Sequence, residues 1–152
     1  MTDICVRKAH LADAPTLAQL AAELDFHAAH GDMEDHLSVL LEEPEHLLLV
    51  AAHNSEADKP VGWLHARIVL SVIVPTLAEV SALIVKERWR KQGVGEQLVN
   101  EAMTWARQQG VEVFRASDER DNEDTQRFYT HLGFELLEQR NVYELELSPR
   151  GT

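Results

Sequence analysis

The amino-acid sequence predicts an α/β domain, and three observations carry that prediction. A near-continuous apolar stretch, Leu77 to Val85, precedes the longest amphipathic helical pattern in the chain, Gly93 to Gln109. A second strand-like run, Val111 to Ala116, follows the helix. That order is a strand-helix-strand unit, whose strands should be parallel and whose crossover should be right-handed. Ahead of it, His46 to His53 and Val61 to Val72 are strand-like runs separated by the polar segment Asn54 to Pro60, as in a hairpin.

The remaining elements follow in chain order. Ile4 to Ala9 alternates apolar and polar residues as a half-buried strand does. Asp13-Ala14-Pro15 opens a helix, proline being tolerated in a first turn, and Leu17, Leu20, Ala21 and Leu24 form its apolar stripe. Asp25 to Asp32 breaks the pattern, and Met33 to Glu43 reads as a second helix stopped by Pro44. The density of Val, Ile, Leu and Ala in Leu77 to Val85 suggests a strand buried on both faces at the sheet centre. In the long helix Val94, Leu98, Ala102 and Trp105 share one side, and Gly110 supplies the stop. Asn122 to Leu132 is another helix, closed by Gly133, and Phe134 to Glu138 and Val142 to Leu147 read as two final strands. No repeat or linker-like shift in composition divides residues 1–152, so one domain is expected.

Composition narrows the function classes. An apolar share of 45% and a charged share of 26% are those of a globular chain of 152 residues, long enough to bury its own core. Apolar runs such as Leu47 to Ala52 are too short to cross a bilayer, which argues against a membrane partner. The N-terminus lacks a signal peptide's apolar stretch, and Cys5 is the lone cysteine, which excludes a disulfide framework and a cysteine metal cluster. A cytoplasmic protein is the simplest reading. With 14 Lys and Arg against 26 Asp and Glu, the net charge of −12 repels phosphate backbones and argues against nucleic-acid binding. It would attract a cationic amine, and it equally serves solubility.

The segment Val85 to Leu98 concentrates the chemistry. Arg90-Lys91-Gln92-Gly93-Val94-Gly95 is a glycine-bearing turn between a buried strand and a long helix. The first N–H groups of a helix lack intrahelical acceptors and carry the positive end of its dipole, so such a turn is an anion site. Gly93 and Gly95 let backbone approach a phosphate without an intervening Cβ, and Arg90 adds a guanidinium. A P-loop is excluded because Gly-Lys-Ser/Thr is absent. A dinucleotide fingerprint is excluded because Leu98 takes its third glycine position. The loop alone does not separate a phosphate site from a plain strand-to-helix turn.

A second segment does. Arg90-Lys91-Gln92-Gly93-Val94-Gly95 resembles the Arg/Gln-x-x-Gly-x-Gly/Ala pyrophosphate loop of the GCN5-related N-acetyltransferase (GNAT) superfamily at every fixed position. Asn122 to Phe134, Asn-Glu-Asp-Thr-Gln-Arg-Phe-Tyr-Thr-His-Leu-Gly-Phe, is similar to its Asn-x-x-Ala-x-x-Phe-Tyr-x-x-x-Gly-Phe helix, departing only in Thr125 for alanine. The resemblance covers nearly the whole chain. It implies a mixed, mostly antiparallel sheet with a splayed parallel strand pair at its centre and helices on both faces.

The resemblance also implies a cofactor, acetyl-CoA, with CoA as product, and transfer of acetyl to an amine. Arg90, Lys91, Gln92, Gly93, Val94 and Gly95 would hold the pyrophosphate, and the backbone of Leu83, Ile84 and Val85 would pair with the pantetheine arm. Asn122 would hydrogen-bond the cofactor, although it also suits a helix N-cap. Tyr129 would be the general acid that protonates the leaving thiolate, whose thiol pKa is about 8.5. A core tyrosine beside Phe128 is the competing role. Glu79 is the candidate base; alternation places it with Ser81, Leu83 and Val85, and a strand bulge would alter that count. A solvent-facing glutamate at a strand end is its alternative.

No motif marks an enzyme nucleophile, which favours direct transfer in a ternary complex. Asp25, His27, His30, Trp63 and His65 are candidate amine contacts; His27 and His30 are three apart, but no third ligand has a recognised metal spacing. Related domains often form dimers, so a homodimer is an open expectation. Two other readings also remain open, a non-catalytic acyl-CoA sensor and a nucleotide-binding interaction domain.

Overall fold

A computed structural model describes residues 3–23, 30–56, 59–117 and 123–148. The chain forms two units, Met1–Ser117 and Asp118–Thr152.

The first unit is built on a five-stranded sheet in the order β1-β2-β3-β4-β5. Its strands are β1 (Ile4–Lys8), β2 (His46–His53), β3 (Pro60–Val69), β4 (Leu77–Val85) and β5 (Phe114–Ala116). The first three pairings are antiparallel and β4 with β5 is parallel, as the crossover through the long helix requires. Strand β4 is therefore next to the sheet edge, not at its middle. Its first half is buried, whereas Ser81 to Leu83 are exposed or half-exposed. Strand β5 is shorter than the expected run from Val111, because only Ala78, Glu79 and Val80 of β4 pair with it.

Helices cover both faces. Helices α1 (Ala14–Ala22) and α2 (His30–Leu40) lie on one of them. There Leu17, Leu20, Ala21 and Leu37 join Leu48, Val50, Trp63 and Ile84 in a single core. Helix α2 begins three residues before the expected Met33 and ends before Pro44, at Leu40. Helix α3 (Val94–Gln108) covers the other face with Val94, Leu98, Val99, Ala102 and Ala106, all buried. Gly62 shows the two-sided arrangement. A Cβ there would lie 3.3 Å from Val94 Cγ1, on the face opposite its neighbour Trp63. Alternation along β3 thus sends adjacent residues to different helices.

The entry into α1 is fixed by charge. Arg7 Nη1 and Nη2 each donate to one Asp13 carboxylate oxygen at 2.9 Å, and the His10 N–H donates to Asp13 Oδ2 at 2.8 Å. Burial works to raise the Asp13 pKa, but the hydrogen bonds and positive charge of Arg7 and the His10 N–H outweigh it and hold the carboxyl below its ordinary value.

The second unit contains helix α4 (Glu123–His131). The Phe134 N–H donates to Tyr129 O at 2.9 Å and the Gly133 N–H to Thr130 O at 3.0 Å, with Gly133 at φ +97. This is the Schellman closure that the glycine predicts. The two final strands expected over Phe134 to Glu138 and Val142 to Leu147 are not formed; residues 134–146 are neither helix nor strand. Alternation in that segment specifies a face, but a strand exists only where a ladder partner accepts its backbone. Leu136, Val142, Tyr143, Leu145 and Leu147 are correspondingly exposed.

Candidate active site

The turn between β4 and α3 has the geometry of an anion cradle. The Lys86 N–H donates to Val61 O at 2.8 Å, anchoring the end of β4, and one helical turn over Glu87–Trp89 leads to Arg90. Arg90 Nε donates to Val85 O at 3.2 Å, so this side chain folds back onto the last carbonyl of β4. Gln92 Nε2 donates to Arg88 O at 2.9 Å. Lys91 and Gly93 both adopt left-handed backbone, at φ 61 and φ 86. For a lysine that conformation is strained, and strain of this kind concentrates at ligand-binding turns. The first helical bond is Gln97 N–H to Gly93 O at 3.0 Å, which leaves the Val94, Gly95 and Glu96 N–H groups without intrahelical acceptors. A Cβ built on Gly93 meets nothing within 4 Å, so the space above the turn is open.

Beside the turn, one edge of β4 is unpaired among the described residues. The β4–β5 ladder runs from Ala78↔Phe114 to Val80↔Ala116 and stops. From Ala82 to Val85, β4 pairs with β3 and, among the described residues, with no other strand. Leu83, Ile84 and Val85 therefore present backbone along a gap where the parallel strands separate.

Residues 14–134 match the Acetyltransferase (GNAT) family. The chain belongs to the GNAT acetyltransferase family. Acetyl-CoA is the cofactor of this family. No curated protein matches the sequence at a significant level. Solved GNAT-like structures share the fold at low identity. Aminoglycoside antibiotic 6'-N-acetyltransferase AAC(6')-Ih from Acinetobacter baumannii is 17% identical, covers 95% of this chain and 99% of its own, and superposes with a TM-score of 0.82. AAC(6')-Iy, solved with a bisubstrate analogue joining CoA to acetylneamine, is also 17% identical, with coverage of 94% and 98% and a TM-score of 0.81. A transcriptional regulator from Bacillus halodurans C-125 is 19% identical, with coverage of 93% and 99% and a TM-score of 0.81.

In this GNAT domain the other expected site residues fall in three groups. Glu79 changes face. The β3–β4 register runs His65↔Ala82 and then Ala66↔Val80, so Ser81 is an extra residue in β4. This bulge moves Glu79 away from the side of Leu83 and Val85 and aligns it with Ala82 and Ile84. Arg67 lies opposite Glu79, and His46 lies opposite Arg67. Glu79 Oε1 accepts the Ser117 hydroxyl at 2.9 Å, and its Oε2 is 4.0 Å from Arg67 Nη2.

Trp63 and His65 share that face. The Trp63 ring is 8% exposed in the core, and its Nε1 has no partner among the described residues, a donor that an oxygen of a bound molecule would satisfy. His65 Nε2 is 2.9 Å from His46 Nδ1, with the rings stacked at 5.2 Å. Burial, the His46 ring and Arg67 together push the His65 pKa down to about 4. His46 and Ser117 escaped the sequence reading; the only available signal was the hairpin register that sets His46 across from Arg67.

Tyr129 belongs to the second unit. It is half-buried on α4, with its ring 5.0 Å from Phe128 and 5.2 Å from Phe134, both edge-on. Asp25, His27 and Asn122 lie outside the described residues, and His30 is described only as the first residue of α2. Among the described residues no group of three or more His, Cys, Asp or Glu is arranged to hold a metal ion. Among them, too, no helix is long and apolar enough to cross a membrane.

Proposed function

We propose that this acetyltransferase moves the acetyl group of acetyl-CoA directly to a primary amine of a small molecule or peptide, in a ternary complex. The observation that carries the reading is the Arg90–Gly95 turn, with its free helical N–H groups, set beside a β4 edge that has no strand partner beyond Val80 among the described residues. These features fit the cofactor. The N–H groups of Val94, Gly95 and Glu96 and the Arg90 guanidinium suit a pyrophosphate, with Lys91, Gln92 and Gly93 shaping the turn. The backbone of Leu83, Ile84 and Val85 suits an amide-bearing arm, which would add to the sheet as a strand does. Bound there, the cofactor supplies an acyl thioester, and the chain's residues have only to orient it and manage protons.

On the acceptor side the net charge of −12 draws a cation, and Glu79 is the carboxylate nearest the β4 bulge. Its oxygens already face Ser117 and Arg67, which suits holding the ammonium better than storing its proton. Trp63 contributes its unpaired Nε1–H, and an acceptor with oxygen near its amine, as in aminoglycosides, matches that donor. Asp25, His27 and His30 are assigned to the same side, and Asn122 to the cofactor. Tyr129 is assigned as the acid for the departing thiolate.

The test is calorimetric titration of the full chain with acetyl-CoA, CoA, NAD and ATP, followed by an amine panel assayed for thiol release. Selective binding of the CoA forms with turnover of an amine is expected. CoA binding without turnover of any amine would favour an acyl-CoA sensor, and no CoA binding would remove the turn from the site.

A further inference from the structure

We propose that His65 and His46 form a two-ring proton relay that carries the acceptor ammonium's proton away from the β4 bulge, a reading that rests on the acetyltransferase function above. An ammonium has no lone pair, so a proton must leave before nitrogen attacks the thioester carbon. Glu79 is a poor destination, because Ser117 and Arg67 already face its carboxylate. His65 is the next group with a free lone pair on that face. It lies opposite Ala82, one residue from the bulged Ser81, and so borders the part of β4 where the sheet opens.

The two rings are joined in series. The 2.9 Å contact links His65 Nε2 to His46 Nδ1, leaving His65 Nδ1 at one end and His46 Nε2 at the other. Neither outer nitrogen has a protein partner among the described residues. His46 is the first residue of β2, half-buried, so the line runs across the sheet from β4 toward the strand's start.

The step balances as follows. His65 Nδ1 takes a proton from the ammonium, the proton on His65 Nε2 passes to His46 Nδ1, and His46 Nε2 releases its proton to water. Both rings remain neutral, the amine is left neutral, and the water carries the charge to the buffer. The groups around His65 suit transfer without storage. Burial and the Arg67 guanidinium on its own strand both oppose a charge on the ring. Glu79 of β4 lies beyond Arg67, and the α1 and α2 side chains packed on this layer, Leu17, Leu20, Met33, Leu37 and Leu40, are apolar. A ring with its pKa held at about 4 cannot accumulate the proton, so it must hand it on.

Two measurements on the full-length chain test this. Nitrogen-15 spectra of the imidazoles, assigned with His46→Ala and His65→Ala, should show His65 neutral from pH 8 down to about pH 5.5 and protonated on Nε2. A His65 that charges near its ordinary value, or carries its proton on Nδ1, overturns the relay. With the best acceptor from the amine panel, His46→Ala and His46→Gln should both lose about tenfold or more in kcat with CoA affinity unchanged. Added imidazole should restore part of the loss in the alanine variant. The glutamine keeps a hydrogen bond to His65 but cannot pass a proton, so full activity in His46→Gln overturns the relay and assigns His46 to packing. Unchanged kcat in His46→Ala, or a loss that imidazole does not relieve, overturns it as well. A wild-type chain inactive on every amine removes the acetyltransferase reading itself, whereas activity indifferent to His46 removes the relay alone.

Discussion

Replacing Gly93 separates the fold of the turn from its function. At φ 86 the residue is left-handed, where an L side chain costs about 1–2 kcal/mol. A Cβ at Gly93 meets nothing within 4 Å, so Gly93→Ala adds strain but no clash in the free chain. The expected loss of stability is about 1–2 kcal/mol, a fall in Tm of roughly 3–6 °C for a chain this size. The effect on CoA should be larger. If the turn holds the pyrophosphate as proposed, the new methyl would crowd the phosphate oxygens at the Val94, Gly95 and Glu96 N–H groups, and each hydrogen bond to a charged group is worth about 1.5–3 kcal/mol. Losing two of them predicts a Kd weakened by roughly 10²–10⁴-fold. Gly93→Trp, with the same backbone strain and a larger obstacle, should abolish binding in a folded protein. The assay is calorimetric titration with CoA and with pantetheine, which lacks the pyrophosphate, alongside thermal unfolding without ligand. CoA affinity should fall while pantetheine affinity stays within a fewfold of wild type. An alanine or tryptophan variant that folds and binds CoA normally would refute the phosphate role of the turn.

Other outcomes follow from the same structure. Tyr129→Phe should lower kcat well beyond any change in CoA affinity if the phenol supplies the thiolate's proton; equal losses of both would assign Tyr129 to its ring contacts with Phe128 and Phe134. Asp13→Asn removes a bidentate partner of Arg7 and should destabilise by about 2–3 kcal/mol in urea unfolding. Because the folded Asp13 carboxyl is held below its ordinary 3.8, that stability is present above this pH and lost as pH falls through the lower folded value. His65 gives a second window: with its folded pKa at about 4 against 6.5, the unfolded chain binds more protons between those values. Wild type should therefore lose about 2–3 kcal/mol more than His65→Phe between pH 7 and pH 4.5; parallel losses would contradict the buried neutral ring. Leu98→Ala, at a side chain fully buried between α3 and the sheet, should cost about 3–4 kcal/mol, read from unfolding midpoints.

The sequence by itself determined the features that depend on near neighbours in the chain. Strand β4 runs over the expected Leu77–Val85, α3 starts at the glycine turn, and Gly133 closes α4, because each follows from side-chain period, backbone freedom at glycine, or orphan groups at a helix end. The Arg90–Gly95 loop was legible for the same reason. Tertiary structure alone decided what lies across from what. Nothing local marks Ser81 as the extra residue of a bulge, yet that one residue turns Glu79 toward Arg67. Hairpin register, not sequence proximity, brings His46 to His65 across 19 positions. The apolar alternation after Gly133 reads as strand, but a strand requires a ladder with a neighbouring backbone, and residues 134–146 form neither helix nor strand. Period and capping are properties of a segment, whereas register, bulges and shared protons are properties of pairs of segments.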